Sequence, residues 1–81
     1  MKIKETGFEG LYIIQPKVFS DSRGYFFESF KLETFLMAGI PFNPVQDNES
    51  RSVYGVIRGL HYQLNPFAQA KLIRVVVGKI Y

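Results

Sequence analysis

The chain contains a single histidine, His61, and ten residues later a lysine, Lys71. An imidazole titrates near neutral pH and accepts a proton. An ammonium group beside it stabilises the oxyanion that develops when the proton leaves its carbon. Together they suit proton abstraction next to a carbonyl, provided that the chain brings them side by side. Residues 56–63 and 69–77 are rich in Val, Ile, Leu and Tyr, and residues 64–68 between them hold Asn65 and Pro66. This pattern predicts a hairpin with a longer loop. Pairing Gln63 with Gln69 sets His61 directly opposite Lys71, on one face of the sheet. A slip of one residue sends the two to opposite faces. Taken alone, a histidine in one strand and a lysine in the next also fit an ordinary sheet surface, because a site needs several groups in mutual geometry.

Arg58 lies three residues before the histidine. In a regular strand Arg58, Leu60 and Tyr62 face one way, and Gly59, His61 and Gln63 the other. If Arg58 and His61 serve one site, the alternation breaks at Gly59, a natural bulge position. Otherwise Arg58 works at the rim while His61 works inside.

The supporting chain is small. Its 81 residues make one domain at most, and a domain of that size buries only about 60–65% of the surface of its unfolded chain. There is no cysteine, which fits a reducing, cytoplasmic setting and leaves a closed structural zinc site without ligands. An apolar fraction of 47%, with 16% aromatics, argues against disorder. The net charge of +3 comes from scattered basic residues. Without a run of Lys or Arg, a nucleic-acid footprint is weakly supported, and a phosphorylated small molecule suits the charge equally well. No apolar run approaches the ~20 residues that span a bilayer, and residues 1–10 lack the apolar core of a secretory signal.

Along the chain, residues 1–6 read as a short edge strand with exposed lysines. Residues 11–19 form an extended stretch that Pro16 either confines to an edge or breaks in two. Residues 20–24, Ser-Asp-Ser-Arg-Gly, read as a turn. Residues 25–30 return as a strand with Glu28 as its one charge. Residues 31–38 are the one convincing helix, with Leu32, Phe35 and Leu36 at helical spacing, Ser29 as a candidate cap and Gly39 with Pro41 as a stop. Gly55 marks another turn. About six short strands with one helix predict an all-β sandwich or barrel.

Three separated blocks carry a resemblance. R-G-L-H-Y-Q at residues 58–63 is followed by P-F-A-Q-A-K-L-I-R-V-V-V-G at 66–78. F-x-D-x-R-G-Y-F-x-E-x-F lies at 19–30, and Q-D-N-x-S-x-S at 46–52. In this order and spacing the chain resembles the dTDP-4-dehydrorhamnose 3,5-epimerase family across essentially all of its length. It corresponds to the N-terminal half of that family's chain, or slightly less.

The resemblance implies a cupin-like jelly roll, of which residues 1–81 are a single partial domain, working as a homodimer with an exchanged N-terminal segment. It implies epimerisation at C3 and C5 of a dTDP-linked 4-keto sugar without metal or other cofactor. His61 takes the place of the proton acceptor and Lys71 that of the lysine near the C4 oxygen. Arg58 matches a substrate-contacting arginine, Arg23 and Glu28 match nucleotide-binding positions, and Phe19 matches an aromatic near the thymine. Gln46, Asp47 and Asn48 match a substrate-binding segment. The chemistry is consistent: the 4-keto group acidifies both carbons, and arginines suit a pyrophosphate through bidentate hydrogen bonds.

The pattern departs from the family at Tyr81, before the segment that supplies the opposite-face tyrosine and the carboxylate partner of the histidine. None of Tyr12, Tyr25, Tyr54, Tyr62 and Tyr81 matches that acid. The expectation is impaired chemistry by this chain alone, either as a truncated form or as a half-barrel that closes on another copy. A second reading is a non-catalytic dTDP-sugar binding or assembly module. A metal-dependent cupin oxygenase is disfavoured, since its site wants two or three histidines.

Overall fold

The computed structural model describes residues 1–81. Its elements are β1 (Lys2–Glu5), β2 (Tyr12–Gln15), β3 (Val18–Asp21), β4 (Gly24–Phe27) and α1 (Leu32–Met37). They form two antiparallel pairs, β1 with β2 and β3 with β4. The regular structure is therefore all-β with one short helix. The chain divides into two compact units, Met1–Pro44 and Val45–Tyr81.

In the first unit, β1 and β2 pair from Lys2 with Gln15 to Glu5 with Tyr12. Ile3 and Ile14 oppose each other and are half-buried, while the lysines of β1 are exposed. The Thr6 hydroxyl organises the connection: it donates to the Leu11 carbonyl at 2.8 Å and accepts the Phe8 N–H at 3.1 Å. Pro16 ends β2, and the chain restarts as β3, so the proline divides the extended stretch.

Strands β3 and β4 pair from Val18 with Phe27 to Asp21 with Gly24, across a two-residue turn of Ser22 and Arg23. The strand expected over 25–30 stops at Phe27, which leaves Glu28 just beyond the sheet. The register explains the stop. Two steps past Val18 and Phe27, Ser29 would face Pro16, which has no N–H to continue a ladder. Phe30 turns instead into an aromatic cluster, its ring 4.9 Å from that of Phe35 and 5.8 Å from that of Phe42.

Phe35 is 2% exposed and is the one buried core side chain. The helix that carries it is capped by Lys31 in extended conformation, without a side-chain cap bond. Ser29 is thus not the cap, because it lies two residues upstream of the position whose side chain reaches the free N–H groups. The C-terminus is more tightly built. Gly39, at φ +77°, donates its N–H to the Leu36 carbonyl at 3.0 Å, and Ile40 donates to Phe35 at 2.9 Å. These two bonds make a Schellman stop, which needs a left-handed residue where glycine is the least strained choice.

The second unit forms no helix or strand. Two turns organise it: Val56 N–H donates to Val53 O at 3.3 Å, and Phe67 N–H to Leu64 O at 2.8 Å. The loop of the expected hairpin is present and its strands are not. Leu60, Val75, Val76 and Val77 are all exposed. Residues of high strand preference need a covered pleated face to express it, and a two-stranded hairpin alone is marginal in water. No helix of the chain is long and apolar enough to cross a membrane.

Candidate functional site

The residues singled out for chemistry fall into two groups, one in each unit. The first occupies the β3–β4 hairpin. Phe19 and Asp21 share one face of β3, and the register adds Phe26 and Gly24 to that face. Phe19, Ser20, Asp21, Arg23, Gly24, Tyr25 and Phe26 line an open concavity of about 510 Å³ around the turn. Tyr25 and Phe27 stack on the opposite face at 5.9 Å. The Lys17 ammonium lies 5.1 Å from the centre of the Phe19 ring, within cation–π range.

Arg23 is held within the turn. Its Nη2 donates to Asp21 Oδ2 at 2.6 Å, and its Nε to the same oxygen at 3.2 Å. Its own backbone N–H donates to Asp21 Oδ1 at 2.8 Å. The last bond is an Asx turn, the local closure that places aspartate just before tight turns. The bonds from the Arg23 side chain, then that from its backbone, hold the Asp21 carboxyl below its ordinary 3.8. The Arg23 guanidinium is pushed up by the same carboxylate.

The hairpin therefore joins an aromatic ring, a guanidinium and an ammonium. Rings stack on the flat face of a base, and a guanidinium fork matches phosphate oxygens. Phe19 and Arg23 both line this concavity. Glu28 stands one residue past the end of β4 and does not line the concavity.

The second group lies in the unit Val45–Tyr81. Gln46 donates its side-chain amide to Asn48 Oδ1 at 3.3 Å. Arg58 Nε donates to Ser52 Oγ at 2.8 Å, and its Nη2 donates to the Arg51 carbonyl at 3.0 Å. The structure thus ties Arg58 to the end of the segment that begins with Gln46, Asp47 and Asn48. Gly59 has φ +115°, so the extended course breaks between Arg58 and His61. His61 and Lys71 are exposed, and no ladder pairs their segments. The opposition expected of them is absent from this chain.

Asp21 and Ser52 escaped the sequence reading as site residues. Both carried a signal. Asp21 precedes Ser-Arg-Gly, which favours an Asx turn under the arginine. Ser52 closes the second polar block, one turn away from Arg58. No three His, Cys, Asp or Glu side chains gather into a possible metal site.

Comparison with known proteins places these groups in context. The family profile described as dTDP-4-dehydrorhamnose 3,5-epimerase matches residues 5–81. A protein of that name from Shigella flexneri is 50% identical over the whole chain, which covers 45% of that relative. Another, from Methanothermobacter thermautotrophicus, is 48% identical over 95% of this chain and 41% of its own. A dTDP-4-dehydrorhamnose 3-epimerase from Streptomyces niveus is 37% identical over the whole chain and 40% of its own. The chain spans less than half the length of each of these relatives. No solved structure matches it significantly.

Proposed function

The chain belongs to the dTDP-4-dehydrorhamnose 3,5-epimerase family, and from that premise we propose that it carries the N-terminal part of an epimerase that acts at C3 and C5 of a dTDP-4-keto-6-deoxyhexose. The observation that carries the proposal is the match over residues 5–81 together with identities near one half.

In this reading the sugar's ketone acidifies the protons on its two neighbouring carbons. His61 removes one as a general base. The electron pair left on carbon moves into the carbonyl, and Lys71 stabilises the negative oxygen. Reprotonation from the other face of the ring inverts the centre. Arg23 and Arg58 bind the substrate's anionic and polar groups, with Glu28 beside the nucleotide. Phe19 stacks on the thymine, and Gln46, Asp47 and Asn48 contact the substrate. The reaction is redox-neutral and calls for no metal or organic cofactor.

The same reading places residues 1–81 in one partial domain of a cupin-like jelly roll. It acts in the cytoplasm, as a homodimer that exchanges its N-terminal segment. His61 and Lys71 must then be drawn into register by covering polypeptide, because their segments are unpaired in this chain. Proton transfer by the chain alone is accordingly impaired.

The test is incubation with dTDP-4-keto-6-deoxyglucose in D2O, following deuterium at C3 and C5 by NMR. His61-dependent incorporation supports the proposal. Nucleotide binding with no exchange at either carbon favours a second reading, a non-catalytic dTDP-sugar binding or assembly module. One observation speaks for it: the hairpin with Phe19 and Arg23 is formed, whereas the His61 and Lys71 segments are not paired.

A further inference from the structure

We propose that Asp21 is a positioning residue for the nucleotide: it grips one edge of the Arg23 guanidinium so that the other edge is presented to a diphosphate. The inference rests on the reading of Arg23 as a nucleotide contact and names the residue that orients it.

The geometry carries the argument. A guanidinium has five N–H donors in a fixed plane. Asp21 Oδ2 accepts from Nη2 at 2.6 Å and from Nε at 3.2 Å, which occupies the inner edge. Both N–H groups of Nη1 and the second of Nη2 remain for an anion. The carboxylate is itself anchored, since its Oδ1 accepts the Arg23 backbone N–H at 2.8 Å. One aspartate thus ties the backbone and the side chain of the same arginine, on a turn fixed by the pairing of Asp21 with Gly24. The arginine side chain is 88% exposed, so the free donors are reachable. The exposure also argues against a stabilising role, because exposed ion pairs contribute little to folding. Holding the fork in place reduces the ordering that a bound anion must otherwise impose on a long side chain.

Simple electrostatics makes the opposite forecast. A carboxylate beside a diphosphate repels it, so its removal should tighten binding. The sign of the effect therefore separates orientation from charge. The experiment is a titration of the 81-residue chain with dTDP, in four forms: unaltered, Asp21→Asn, Arg23→Ala and the double variant. Asparagine keeps an acceptor for the Arg23 N–H and so keeps the turn, which NMR contacts between Ser20 and Tyr25 monitor.

We expect Asp21→Asn to weaken dTDP binding about tenfold, well within what misplacement of a binding group costs. In the Arg23→Ala background the same change should have no weakening effect. Unchanged or tighter binding by Asp21→Asn overturns the positioning role while leaving Arg23 as a contact. Weakening that persists without Arg23 also overturns it, since the aspartate would then act through the hairpin itself. If Arg23→Ala binds dTDP as well as the unaltered chain, or if the unaltered chain does not bind, the underlying reading falls and the positioning role with it.

Discussion

Arg23 and His61 stand at opposite ends of what a residue's neighbours do for it. Arg23 is held by four hydrogen bonds to one aspartate, whereas His61 is exposed and outside any strand. The first arrangement has a pH signature. Asp21 titrates below its ordinary 3.8 because the ionised form accepts hydrogen bonds from Arg23. A depressed carboxylate contributes to turn order above its ordinary value and loses that contribution as pH falls through the lowered one. The Asp21 side-chain carbon signal should therefore show a midpoint below 3.8 that rises part of the way back in Arg23→Ala, which removes the side-chain bonds and keeps the backbone one. A midpoint that the arginine variant leaves unmoved contradicts the bonding described.

At the scale of elements, local chemistry decides what forms. Pro16 splits the extended stretch, the Asp-Ser-Arg-Gly run makes a tight turn, and Gly39 stops the helix, each as the residue types predict. Substituting Gly39 by alanine meets no neighbouring atom, because nothing lies within 4 Å of the added carbon. The cost is one of backbone conformation at φ +77°, about 1 kcal/mol. Helical circular dichroism should therefore weaken without any new clash. Phe35→Ala should act more strongly. It removes about 3 kcal/mol of packing from the Phe30 and Phe42 cluster, and a six-residue helix has little other support. Loss of the helical signal is expected, and a retained signal would show that the cluster does not hold the helix.

The strands expected on either side of residues 64–68 depend on distant partners. Residues 64–67 turn as expected because a turn needs only its own four residues. The strands on either side do not form, although their Val, Ile and Leu content is high, because strand preference reports fit to a covered sheet. For the same reason the pairing of His61 with Lys71 followed from a register that the isolated segments do not adopt. The hairpin with Phe19 and Arg23 was legible because its register is set by a two-residue turn. Asp21 lay inside the motif, but its role emerged only from the direction of the Arg23 side chain.

For the whole molecule, covered area is the governing quantity. The chain exposes 8397 Å², against about 5,000 Å² for a folded monomer of this mass. Phe19, Phe26, Leu60, Val76, Val77 and Tyr81 are among the apolar side chains left exposed. Apolar surface on that scale drives association. Sedimentation should therefore show concentration-dependent growth in size, and a monomer at all accessible concentrations would contradict it. Covering these faces is also what the unpaired strands need. The proposed chemistry at His61 is coupled to assembly in this account, whereas the proposed nucleotide contact at Arg23 draws on a hairpin that is already formed.

That division is tested most directly by deuterium exchange from D2O into C3 and C5 of dTDP-4-keto-6-deoxyglucose, measured for the unaltered chain and for His61→Ala at equal nucleotide occupancy. The account predicts slow incorporation at both carbons, abolished by His61→Ala while dTDP binding persists. Incorporation at a rate that the histidine substitution leaves untouched would contradict it, because the proton would then be leaving to some other base.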